Sequence, residues 1–217
     1  MKYKLVVFDL DGTVLNTIGG LTHAVNEALA MNGLPGKTKE EVQAMVGNGT
    51  RKLIERSLGP DASAELIEKV YTDYQKFYAQ NCSYDTFPYE GVKEMLVRLN
   101  EAGIKCAVVT NKPDAPAKTL INEHFGDLIA LTYGNVPNVP VKPDPTFVFK
   151  VMNELGVEAH DAVYIGDSDV DIRTGKNAGI DFLSVDWGFR TREFLIENGA
   201  GLIFSDPAEL ASYLISD

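Results

Sequence analysis

Residues 6–17 read VVFDLDGTVLNT, and the apolar run Leu5–Phe8 stops abruptly at Asp9-Leu10-Asp11-Gly12-Thr13. A short run that is apolar on both faces predicts a strand buried inside a sheet covered on both sides. Two acids separated by one leucine at its carboxyl end repel one another, so their presence there asks for a reason. Two further segments, Ile104–Thr110 and Ala162–Ile165, have the same apolar character. Phe182–Val185, Leu202–Phe204 and a stretch near Leu128–Thr132 are weaker strand candidates.

Helical patterns separate these strands. Tyr89–Ala102 carries Val92, Met95, Leu96 and Leu99 on one face, with Gly103 as its stop. Asp144 reads as an N-cap with Pro145 in the first helical position, and Gly156 ends that helix. Strands alternating with helices predict an α/β fold with a Rossmann-like, doubly wound parallel sheet. Residues 18–80 break the rhythm and contain no strand pattern. Leu21, Val25, Ala28 and Leu29 form one helical face, and Thr38 with Glu41 reads as a capping box. Arg51–Leu58 and Ala62–Ala79 predict two more helices. The expected division is a core of residues 1–15 and 82–217 with an inserted α-helical cap of residues 16–81.

The 217 residues are 45% apolar and 24% charged, with a net charge of −11. That charge disfavours nucleic acid and anionic membranes as partners, so no nucleic-acid or membrane binding is expected. Cys82 and Cys106 fit no metal-binding spacing and read as reduced thiols. No signal-peptide pattern is present, and a cytoplasmic monomer or homodimer is expected.

In open α/β sheets, ligands bind beyond the carboxyl ends of the strands. Asp9 and Asp11 follow the first strand. Thr110, Asn111 and Lys112 follow Ile104–Val109. Lys142 precedes a helix in a later loop. Gly166, Asp167, Ser168 and Asp171 follow Ala162–Ile165. Polar clusters after successive strands converge on one sheet edge.

This order resembles the haloacid dehalogenase superfamily, and within it the phosphoglycolate phosphatase-like subgroup. The resemblance rests on D-x-D-G-T at Asp9–Thr13, Thr110 at a strand end, Lys142 before a helix, and G-D-x-x-x-D at Gly166–Asp171. The stretches VGNG at 46–49 and WGFRTREFLIENGA at 187–200 carry the subgroup resemblance. One departure is Asn16, where many relatives have an acid.

The resemblance implies a Mg²⁺-dependent phosphatase acting on a small phosphorylated metabolite through an aspartyl-phosphate. Asp9 would be the nucleophile, and Asp11 the acid and then the base. Asp9, Asp167 and the Asp11 carbonyl would hold Mg²⁺, with Asp171 supporting them. Thr110 and Lys142 would grip the phosphoryl group. Asn111 is a candidate for phosphoryl or substrate contact, or equally for a turn. Ser168 is a candidate helix cap. Arg51 or Lys52 could meet a second anionic group, or be solvated. His23 reads as packing, while Trp187 and Arg190 could border the site. Alternatives within the superfamily are a sugar phosphomutase, a pyrophosphatase or a nucleotidase. A non-catalytic phospho-ligand or regulatory module is the reading from another class.

Overall fold

The computed structural model describes residues 2–216. The chain begins with β1 (Leu5–Phe8) and the short β2 (Leu15–Asn16). It then passes through α1 (Ile18–Met31), α2 (Lys39–Met45), α3 (Thr50–Leu58) and α4 (Ala64–Asn81). β3 (Phe87–Pro88) returns antiparallel onto β2. Alternation follows through α5 (Val92–Glu101), β4 (Lys105–Pro113), α6 (Asp114–His124), β5 (Leu131–Asn135) and α7 (Thr146–Leu155). The chain closes with β6 (Ala162–Gly166), α8 (Asp169–Ala178), β7 (Asp181–Val185), α9 (Arg192–Glu197), β8 (Ile203–Phe204) and α10 (Pro207–Ile215).

Six strands form one parallel sheet in the order β5-β4-β1-β6-β7-β8. The winding reverses direction around β1, which lies between β4 and β6. This is the topological switch point, where a crevice opens beyond the strand ends. Alternate residues face opposite sides. Leu5, Val7, Val109 and Tyr164 pack with Val148 and Val151 of α7 on one face. Val6, Phe8, Val108 and Ile165 pack on the other. Each fully buried Val, Leu or Phe here contributes roughly 1.5–3 kcal/mol.

The four helices α1–α4 stand over the carboxyl edge of the sheet. Leu21 and Val25 of α1 and Val70 and Tyr74 of α4 belong to the same apolar cluster as Phe8. Both chain crossings between helices and sheet run side by side, as the β2–β3 ribbon. Asn16 lies in β2, where its side-chain oxygen accepts from Ile18 N at the start of α1. The Thr38–Glu41 capping box opens α2, with both reciprocal hydrogen bonds formed.

Several boundaries differ from the sequence reading. β4 continues past Thr110 to Pro113, because pairing with β5 resumes at Pro113↔Asn135 after an irregularity. Thr110, Asn111 and Lys112 therefore lie on the strand's own extension. β5 begins at Leu131, since Gly126–Leu128 forms a 3₁₀ turn. α5 starts only at Val92, after Gly91 in a left-handed conformation (φ +80). α4 starts at Ala64, capped by Ser63. α7 begins at Thr146, although Asp144 Oδ1 still accepts from Thr146 N at 2.9 Å.

Candidate active site

Asp9 extends the face of β1 that carries Leu5 and Val7. Its backbone N–H donates to Ile165 O at 2.9 Å, which fixes the strand end against β6. Gly12 then turns the chain at φ +86. A Cβ there would lie 2.4 Å from Asp167 Oδ2, so both the turn and the close approach require glycine. The Thr13 hydroxyl donates to Asp167 Oδ1 at 3.1 Å. That hydroxyl thus serves a neighbouring carboxylate.

Asp9, Asp167 and Asp171 are all buried, with donor atoms within 4.8 Å of one another. One ammonium lies among them. Lys142 Nζ is 2.8 Å from Asp9 Oδ1 and 2.7 Å from Asp171 Oδ1. It also donates to the Tyr164 hydroxyl, which donates to Val109 O. Burial disfavours the Lys142 charge, but Asp171 and Asp9 outweigh it and hold the lysine well above its ordinary pKa. Burial raises Asp9 from 3.8 to about 7, and Lys142 offsets this only in part. Burial, then Asp171 and Asp9, raise Asp167 from 3.8 to about 8.

The carboxylates differ in how they are satisfied. Asp167 accepts from Thr13 Oγ1 and from Phe189 N. Asp171 Oδ2 accepts from Ser168 N and Oγ, and its Oδ1 takes Lys142. Asp171 is therefore a buried brace between Lys142 and the start of α8. Asp9 Oδ1 is buried with no aligned hydrogen-bond donor among the described residues, despite its ion pair. Three buried carboxylates around one ammonium, with an orphaned oxygen, fit a divalent cation that prefers oxygen ligands.

The cavity beside this cluster contains about 590 Å³ of atom-free space, counting its open mouth. Asp9, Asp11, Thr110 and Asp167 line it from the sheet, and Tyr74 and Tyr78 from α4. Lys142 stands behind Asp9, outside the cavity wall. Asp11 Oδ1 accepts from Thr17 Oγ1 and from Lys112 Nζ, each at 2.7 Å.

Asn111 also lines the cavity. Its side chain brackets the Lys142 backbone, accepting from Lys142 N at 2.7 Å and donating to Lys142 O at 3.0 Å. The same amide nitrogen reaches Gly47 O in the cap at 3.1 Å. Asn111 is thus a brace joining the sheet, the loop that carries Lys142, and the cap. Arg51 is placed elsewhere. It lies exposed on α3, bound to Glu68 at 2.8 Å and beside Glu55, and does not line the cavity. Its acidic neighbours hold it at the surface. His23 packs against Tyr84 and Phe77.

Arg190 does line the cavity, and its two terminal nitrogens donate to Gln43 O and Val46 O at the end of α2. Trp187 Nε1 donates to Thr13 O. Sequence reasoning gave no role to Lys112, Tyr78 or Tyr164. Tyr164 sits in an apolar strand and looks like core. The burial of Lys112 depends on a helix distant in sequence.

A family model described as haloacid dehalogenase-like hydrolase matches residues 6–185. A phosphoglycolate phosphatase of Rhodospirillum rubrum is 34% identical over 220 residues, covering 97% of this chain and 90% of that protein. A phosphoglycolate phosphatase of Pseudomonas savastanoi pv. phaseolicola is 33% identical, covering 95% of this chain and 78% of that protein. A crystal structure from Lactobacillus delbrueckii subsp. bulgaricus, provisionally named a phosphoglycolate phosphatase, superposes with a TM-score of 0.96. It is 30% identical, and the match covers 100% of both chains.

Proposed function

The chain belongs to the haloacid dehalogenase-like hydrolase family, and from that premise we propose that it is a Mg²⁺-dependent phosphatase of small phosphorylated metabolites. The phosphoglycolate phosphatase relatives favour a substrate of that kind. The observation that carries the reading is Asp9: a buried carboxylate, backed by Lys142, facing a cavity shared with Asp11 and Thr110.

Asp9 attacks phosphorus, forming a P–O bond as the ester P–O bond breaks. Asp11 delivers its proton to the departing alkoxide oxygen. Asp11 then takes a proton from water, whose oxygen bonds to phosphorus. The Asp9–phosphorus bond breaks, releasing phosphate and restoring the carboxylate. Thr110 stands on the wall beside Asp9, where its hydroxyl is positioned to donate to a phosphoryl oxygen. Lys142 keeps a positive charge against Asp9 throughout, and Asp171 and Tyr164 hold that lysine in place. Asp9, Asp167 and the Asp11 main-chain carbonyl would hold Mg²⁺, with Asp171 in support; when bound, the ion offsets the repulsion between phosphate and carboxylates. Without a cation, two unit charges 4 Å apart repel by about 4 kcal/mol at an effective dielectric of 20.

Phosphate release from a panel of phosphoesters, with Mg²⁺ and with chelator, tests the reading. The panel includes 2-phosphoglycolate, pyrophosphate, nucleoside monophosphates and hexose phosphates. Mg²⁺-dependent release from a phosphomonoester is expected. No release from any compound contradicts it, and isomerised hexose phosphate would establish a mutase in its place.

A further inference from the structure

The segment between β7 and α9 touches the β1 loop and Asp167 on one side and the cap on the other. Trp187 Nε1 donates to Thr13 O. A Cβ on Gly188 would collide with Gly12 O and with the Asp167 side chain, so the backbone here lies directly on the site. Phe189 N donates to Asp167 Oδ2 at 2.7 Å. The next groups face the cap. Phe189 O accepts from Gln43 Nε2 at 2.9 Å. Arg190 donates to Gln43 O at 2.9 Å and to Val46 O at 2.7 Å. Its guanidinium lies over the Phe194 ring, 5.7 Å from the centroid, which helps to hold it there.

These contacts complete α2. Its last turn carries no basic residue, and the carbonyls at a helix end need donors from outside the helix. Arg190 supplies two of them, with a positive charge that suits the negative end of the helix. One residue further on, Gly47 O accepts from Asn111 Nδ2 at 3.1 Å. Residues 43–47 are thus held from two sides, by the segment after β7 and by the end of β4. Val46 and Gly47 of that stretch are also part of the cavity lining. Apolar packing between cap and sheet is non-directional. A planar guanidinium bonded to two carbonyls three residues apart fixes one register.

We propose that Arg190 is a positioning residue that latches residues 43–47 of the cap onto the segment holding Asp167, and so fixes where the cavity roof stands. The latch follows from these contacts; its kinetic consequence rests on the phosphatase reading above. Loosening it leaves Asp9, Asp11 and Thr110 in place but frees the roof. The cavity then admits leaving groups that the latched roof excludes.

Two variants test this. Arg190→Met removes both bonds to α2, and Gln43→Met removes the reciprocal bond to Phe189 O. Spin labels are placed on Lys52→Cys of α3 and Lys93→Cys of α5, both exposed positions; the native cysteines are buried. Cap-to-core distances are then measured by pulsed electron resonance without substrate. One narrow distance is expected in the otherwise wild-type protein. The displaced population should rise about tenfold or more in Arg190→Met, as for loss of a hydrogen bond to a charged group, and about threefold in Gln43→Met. In unlabelled protein, kcat/KM is compared for 4-nitrophenyl phosphate and 2-phosphoglycolate. The ratio of the bulky to the small ester should rise about tenfold in Arg190→Met. The proposal requires both changes, and the absence of either overturns it. Both esters slowed by one factor at an unchanged distance would mean that Arg190 only caps α2. If Arg190→Met does not fold, Gln43→Met decides by the same two readouts. Wild type releasing phosphate from neither ester overturns the phosphatase reading; the distance measurement needs no substrate and then decides the latch alone.

Discussion

At the scale of single residues, the site stores unfavourable charge. Burial raises Asp9 to about 7 and Asp167 to about 8. In the metal-free fold these groups keep protons that the unfolded chain releases above about 4. The stabilising contribution is therefore fully present below about pH 4 and is lost as pH rises towards about 8. The melting temperature of the metal-free protein should fall between about pH 5 and pH 8, and Asp167→Asn should flatten that fall. Added Mg²⁺ should raise the melting temperature more at about pH 8 than at pH 6, because it competes with fewer protons. A metal-free melting temperature that climbs over this range, unaltered by Asp167→Asn, contradicts this account. Most of these residues were legible in the sequence, because Asp9, Thr110 and Asp167 follow or end apolar strands. Lys112 was visible but silent. Its burial involves the Tyr78 ring, and no local pattern reports a contact between β4 and α4. Arg51 was read as either an anion contact or a solvated charge; it lies exposed and paired with Glu68 on the next helix, a contact no local pattern reports.

At the scale of elements, the loop after β1 depends on Gly12. Gly12→Ala meets both a positive φ and the Asp167 carboxylate. Backbone strain of this kind costs about 1–3 kcal/mol, and displacement of Asp167 adds to it. Chemical denaturation should show a loss of at least that size. A midpoint equal to wild type would mean that the turn tolerates a side chain. Element types were legible because apolar runs and helical faces have distinct periods. Ends were less so. β4 extends to Pro113 because β5 pairs with it again after an irregularity, a tertiary effect absent from the local sequence. Asn111 was read as either a turn residue or a ligand contact. It braces Lys142 and Gly47, which only the folded arrangement brings within reach.

At the scale of the whole molecule, cap and sheet share one apolar cluster, from Phe8 of β1 to Tyr74 of α4. Calorimetry should therefore show one cooperative unfolding transition; two resolved transitions would mean that the cap melts independently. The winding of the sheet places β1 at the switch point, and the cap roofs the crevice opened there. The acids at the end of β1 are thus explained by where that strand sits, with Lys142 behind Asp9 and the buried carboxylates of Asp167 and Asp171 beside it. The central claim is that Asp9 bonds to phosphorus during turnover. The direct measurement is borohydride reduction of the enzyme during turnover with Mg²⁺ and 2-phosphoglycolate, followed by peptide mass spectrometry. An acyl phosphate at Asp9 would be reduced to homoserine, and the account predicts that change at residue 9, absent without substrate. Phosphate release with no modification at Asp9, or with modification at another carboxylate, would contradict it.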